Sequence, residues 1–180
     1  MANDPTLPTS LDQLDPAVRA VVEQASTILV PVDDGTDDAY GRARDVAVEL
    51  AKLGDAKLVL LDRVDTTYAD TPRVFELTRD EVAAIDRPYL LDQLDSAAEA
   101  GVSVTAFQHS LPGDEALTDA VNQVGADAVV VPSSLDAPGF LTRLKHESAE
   151  ERAVDAAPDG IPVLAVGDDG TVSVSPPRGQ

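Results

Sequence analysis

"TILVPVDDGTDDAYGRARDVAVELAKLGDAKLVLLDRV", Thr27 to Val64, decides the fold. It opens on a strand, Thr27–Val32, and turns on the acidic, glycine-bearing DDGTDD. A helical pattern then runs from about Asp38 to Leu53. Ala39, Ala43, Val46, Ala47, Leu50 and Leu53 share one face, and Gly54 ends it. AKLVLLDRV is a second strand, with the unbroken apolar run of a strand buried on both faces of a parallel sheet. Strand, helix and strand in so short a span form a βαβ unit.

The same alternation continues outward. A long polar connection runs from Asp65 to Leu77, and Thr78 and Glu81 have capping-box spacing. Pro88 breaks the helical pattern that follows. The stronger helix runs from about Pro88 to Ala100, with Leu90, Leu91, Leu94, Ala97 and Ala98 inward and Gly101 at its end. VSVTAFQ is a third strand, and Asp114 caps a helix carrying Leu117, Ala120, Val121 and Val124. ADAVVVP is a fourth strand, a helix spans about Ser148 to Ala156, and IPVLAV is a fifth strand. The expected fold class is α/β: an open, doubly wound, five-stranded parallel sheet with helices on both faces, flavodoxin-like or adenine nucleotide alpha hydrolase-like, plus a possible C-terminal antiparallel strand.

The flanks add less. Residues 1–10 are polar, contain two prolines and read as disordered. Residues 11–26 hold a helix with Asp15 at its N-cap and Pro16 at N1. The main domain spans 27–166. In the tail, 167–180, VLAVGDDGTVSV reads as a β-hairpin with a strand at 171–174, antiparallel to strand five, and disorder after it.

Of the 180 residues, 33 are Asp or Glu against 13 Lys or Arg, a net charge of -20. No basic stripe exists to displace counterions, so nucleic acid is not an expected partner. The charge fits adaptation to high salt, with an acidic interaction surface or compositional drift as alternatives. No run of apolar residues is long enough for a membrane span, and MANDPTLPTS has no signal-peptide character. Without Cys there is no thiol chemistry, which agrees with a cytoplasmic location.

In a sheet of this kind ligands sit at the carboxyl ends of the strands, where strand order reverses. With strands one and four adjacent, the loops VDDGTDD and PSSLDAPG converge there. The candidate crevice comprises Val32 and Asp33 after strand one, Asp62 at the end of strand two, Ser133 and Ser134 after strand four, and Ser148 ahead of the last helix. Each has a plainer reading. Asp33 suits any turn. Asp33, Asp34, Asp37 and Asp38 lack the spacing of a calcium loop and read as a solvated face with Asp37 as a cap. Ser148 has capping-box spacing to Glu151. His109 and His146 stand apart, with His109 expected to face solvent, so no metal site is expected. No G-x-S-x-G or G-x-G-x-x-G is present. A phosphoreceiver would need an acceptor Asp and a Lys where the strand ends read FQHS and LAVG.

ILVPVDDGTDDAYGRARDVAVELAKL, GADAVVVPSS and ESAEERAVDAAPDGIPVLAV together resemble the universal stress protein family, over roughly Thr27 to Val166. The resemblance implies a UspA-like stress-response module that often dimerises through its last strand, here possible through that strand or the tail. Its ATP-binding members carry G-x-x-G-x9-G-[ST] after strand four, and an Asp matching Asp33 contacts the adenosine. This chain departs from that loop: Pro132 and Leu135 fall on the first two glycine positions, and Glu147 precedes Ser148. Pro132 has no N–H, Leu135 restricts φ, and Asp136 and Glu147 add negative charge beside a phosphate. The resemblance is therefore to the type without ATP, with no cofactor and no catalytic grouping. Two alternatives stay open. One is an ATP-binding stress protein in which Ser133, Ser134, the last helix, Lys145 and Mg²⁺ hold the nucleotide. The other is a small-molecule sensor using the same crevice, with Asp65 to Pro88 as its lid.

Overall fold

The computed structural model describes residues 7–32, 38–63, 74–109, 115–133 and 148–175. After a 3-10 turn at Leu11–Gln13, the order is α1 (Pro16–Gln24), β1 (Thr27–Val32), α2 (Asp38–Gly54), β2 (Lys57–Arg63), β3 (Val74–Leu77), α3 (Arg79–Ala84), α4 (Pro88–Glu99), β4 (Val104–His109), α5 (Glu115–Val124), β5 (Ala128–Pro132), α6 (Ala149–Ala156), β6 (Val163–Val166) and β7 (Val172–Ser175).

Among these residues the strands form one sheet, ordered β3-β4-β2-β1-β5-β6-β7. The five inner strands are parallel, and β3 and β7 close the two edges antiparallel. Thus β1 and the fourth parallel strand are neighbours, as expected, but the parallel order is three-two-one-four-five and not the flavodoxin order. The strand alternation divides the core. Ile28, Val30, Leu58, Leu60, Ala128, Val130 and Leu164 pack beneath α1, α2, α3 and α4. Leu29, Val59, Leu61, Val129, Val131 and Val163 pack beneath α5 and α6.

Local signals account for most boundaries. Asp15 accepts the Ala17 N–H at 2.8 Å, with Pro16 next to it in the first turn. Thr78 and Glu81 form a complete capping box on α3. Asp86 takes φ 57° before Pro88 starts α4, so the helical pattern does break there. Four readings are corrected. Part of the polar connection, Val74–Leu77, is an edge strand paired with His109 to Ala106. His109 is buried on this strand pair and does not face solvent. Residues 7–10 are placed, with Leu7 packed on the core, while 1–6 and 176–180 lie outside the described residues. The tail strand is present, one residue later than expected.

Gly54 does not end α2 by a left-handed backbone, since Asp55 carries that conformation at φ 52°. Its lack of a side chain serves a close approach: a Cβ would lie 2.5 Å from the Val22 carbonyl oxygen of α1. Backbone cannot yield there as a flexible side chain would. Gly54→Ala should lower stability by about 1–3 kcal/mol despite the better helix propensity of Ala, as read by urea unfolding. A gain in stability would contradict the contact.

Candidate functional site

Strand order reverses at β1, between β2 and β5, so the carboxyl ends of the paired strands β1 and β5 lie side by side at the switch point. Asp33 and Ser134 lie outside the described residues, as do Asp34, Asp37, Leu135, Asp136, Lys145, His146 and Glu147. Val32 is buried in the core, so its side chain does not line an opening. Ser133 is half-buried, and its N–H donates to the Val166 oxygen at 2.9 Å. Pro132 pairs with Val166 in the same ladder. Ser148 is the N-cap of α6: its N–H donates to Glu151 Oε2 at 2.8 Å, and its Oγ accepts the Glu151 N–H at 3.1 Å.

Asp62 ends the inward face of β2 and is fully buried. An ionised carboxylate there needs partners, because desolvation otherwise disfavours it strongly. It has three. Tyr89 Oη donates to Oδ1 at 2.5 Å, Gln108 Nε2 donates to Oδ2 at 3.1 Å, and Arg87 Nε lies 3.2 Å from Oδ2. The Arg87 guanidinium also sits 5.4 Å from the centroid of the Tyr89 ring. The start of α4 is thereby tied to the ends of β2 and β4. Asp62 is thus a tether at the carboxyl end of β2, with its charge compensated by Arg87.

A second tie holds α3 against α4. Arg79 reaches Asp95 with two hydrogen bonds, of 2.7 and 2.6 Å. The Arg79 hydrogen bond holds the Asp95 carboxyl below its ordinary range, and the Thr78 N–H does the same for Glu81. Both groups favour the fold above the usual carboxylate range and lose that effect as pH falls through their lowered values. The pair is exposed, so its contribution is small.

Among the described residues, no group of three His, Cys, Asp or Glu could hold a metal ion. Also among them, no helix is long and apolar enough to cross a membrane. The sequence reading placed Asp62 in the crevice but missed Arg87, Tyr89 and Gln108. The available signal was one Asp on the buried face shared by Leu58 and Leu60.

The family model described as the universal stress protein family matches residues 25–166. A universal stress protein solved in complex with cAMP is 22% identical, with a TM-score of 0.57, covering 79% of this chain and 97% of that one. UspA from Lactobacillus plantarum is 25% identical, with a TM-score of 0.51, covering 74% of this chain and 92% of that one. A universal stress protein from Archaeoglobus fulgidus is 16% identical, with a TM-score of 0.52, covering 76% and 90%. No curated protein sequence matches the chain.

Proposed function

This chain belongs to the universal stress protein family, and we propose that it is a UspA-like binding or regulatory module of the stress response that does not hold ATP. The observation that carries this reading is how the chain uses the backbone donors nearest the phosphate position. A phosphate loop needs free N–H groups and the open N-terminus of a helix. Pro132 supplies no N–H, and the Ser133 N–H is spent on Val166. At α6 the Ser148 and Glu151 N–H groups are taken by the capping box. Glu150 and Glu151 add two carboxylates to its first turn. An incoming triphosphate would have to displace these bonds and face like charge.

Calorimetric titration with MgATP in high KCl tests the reading, and no saturable heat is expected. Saturable ATP binding would overturn it in favour of a nucleotide-binding protein with a rewritten loop. cAMP is a second titrant, because one structural neighbour was solved with it. Binding of cAMP without ATP would make the crevice a small-ligand sensor.

The same reading puts the module in a salt-rich cytoplasm, supported by the net charge of -20. Raising KCl from about 0.1 M to about 1 M shortens the Debye length from about 10 Å to about 3 Å. Resistance to urea should rise over that range as self-repulsion is screened. A midpoint that falls or stays level would argue against salt adaptation.

A further inference from the structure

We infer that the cavity between the end of α6, the start of β6 and the end of β7 binds a small amphipathic cation, an apolar body carrying one ammonium group. The cavity lies at the amino end of β6, away from the switch point, so it is independent of the ATP reading. Its volume is about 380 Å³, within the roughly 300–1,000 Å³ of small-molecule sites. The walls are apolar: Val154 and Ile161 pack against the core, Val163 is buried, and Pro162 and Val174 also line the space.

The fold sets these walls in place before any ligand arrives. Ser175 Oγ donates to Glu150 Oε1 at 2.7 Å, which holds the end of β7 against α6. The Thr118 hydroxyl of α5 donates to the Ala156 oxygen at the end of α6. The Val129 N–H of β5 donates to the Pro162 oxygen at 3.1 Å. Pro158 to Ile161 form a turn, closed by the Ile161 N–H to the Pro158 oxygen at 3.1 Å, with Gly160 at φ 87°. Positive φ at the third position alone is the type II pattern, and it fixes Asp159 at the second position. A preformed apolar wall loses little freedom when it takes up a ligand.

Charge selects the ligand. The cavity sits at the C-terminal end of α6, the negative end of the helix dipole. The Val154 carbonyl stands four residues before Pro158, which has no N–H to return to it. Asp155 and Asp159 line the cavity and are exposed, which puts their carboxylates at its mouth. Among the described residues that line it, none is Lys or Arg. An anion would meet like charge here, and a neutral apolar molecule would leave the carboxylates without a counter-charge. A molecule with an apolar body and one ammonium group matches both the walls and the mouth.

An NMR chemical-shift titration of the full chain tests this, in the lowest KCl at which the chain is folded, where exposed charges are least screened. Three probes of one shape are used: phenethylammonium, 2-phenylethanol and 3-phenylpropionate. Saturable shifts confined to residues 154–163 and Val174 are expected with the ammonium. The alcohol should bind about tenfold more weakly, and the carboxylate should not bind. The double variant Asp155→Asn with Asp159→Asn, both at exposed positions, should remove the advantage of the ammonium and leave the alcohol unchanged. Equal binding of the three probes would overturn the inference, as would shifts that do not saturate. Shifts spread over the whole acidic surface would also overturn it, by reducing the effect to general counterion attraction. So would an ammonium advantage that survives the double variant. Binding seen only in a full chain carrying Arg178→Gln would give the cavity to a cation of the chain itself, and would overturn the inference in that way.

Discussion

Replacing Arg87 with methionine is expected to lower the unfolding free energy by about 3–5 kcal/mol, because it leaves a buried carboxylate without its cation. Among the described residues, Asp62 would keep the Tyr89 hydroxyl and the Gln108 amide, both neutral. Truncating one member of a buried pair is far more damaging than replacing both with apolar groups of similar shape. The double variant Arg87→Met with Asp62→Leu should therefore recover most of the loss. Urea unfolding of the two single variants and the double closes the cycle. A single-variant loss under about 1 kcal/mol, or a double variant as weak as the single, would show that the tether is not held by charge compensation.

Leu60→Ala is expected to cost about 2–5 kcal/mol. Leu60 lies on the central strand β2, fully buried, level with Val30 of β1 and Ala106 of β4. Rigid strands on both sides limit collapse of the cavity, which puts the expected loss toward the upper half of that range. Ile85→Ala is the control. Ile85 is a large hydrophobic side chain left exposed between α3 and α4, and its loss should stay within about 0.5 kcal/mol. Equal effects at the two positions would contradict the core assignment.

The fold was legible where local chemistry and periodicity agreed. Asp15 with Pro16, Thr78 with Glu81 and Ser148 with Glu151 each pair a donor with an acceptor within one turn, so sequence spacing alone places them. The apolar runs of β1, β2 and β5 announced a sheet covered on both faces. β3 was missed because "VFEL" is four residues long and carries Glu76, and its pairing with β4 is set by tertiary context. His109 was misplaced for the same reason, since it sits between Arg63 of β2 and Val74 of β3, and the second pairing was not expected. Gly54 was assigned to helix termination when its reason lies in α1, more than thirty residues away in sequence.

The candidate site was less legible. Asp62 could be suspected from its place on a buried strand face, but Arg87, Tyr89 and Gln108 come from distant segments and show no spacing. The donor accounting at Ser133 and Ser148 depends on which N–H groups the fold has already used. The glycine pattern could show that the usual loop is absent. Only the geometry could show that the Ser133 N–H serves the β5–β6 junction and that the capping box has taken first-turn donors of α6.

The most direct measurement of the central claim is thermal unfolding in high KCl, with and without millimolar MgATP. A ligand at about 100 times its dissociation constant stabilises a folded protein by about 2.7 kcal/mol, several degrees for a domain of this size. Coincident transitions are expected, because Pro132 lacks an N–H and the Ser133 and Ser148 N–H groups are already bonded. An upward shift specific to MgATP would contradict it, and would mean that the chain gives up these bonds to hold a nucleotide.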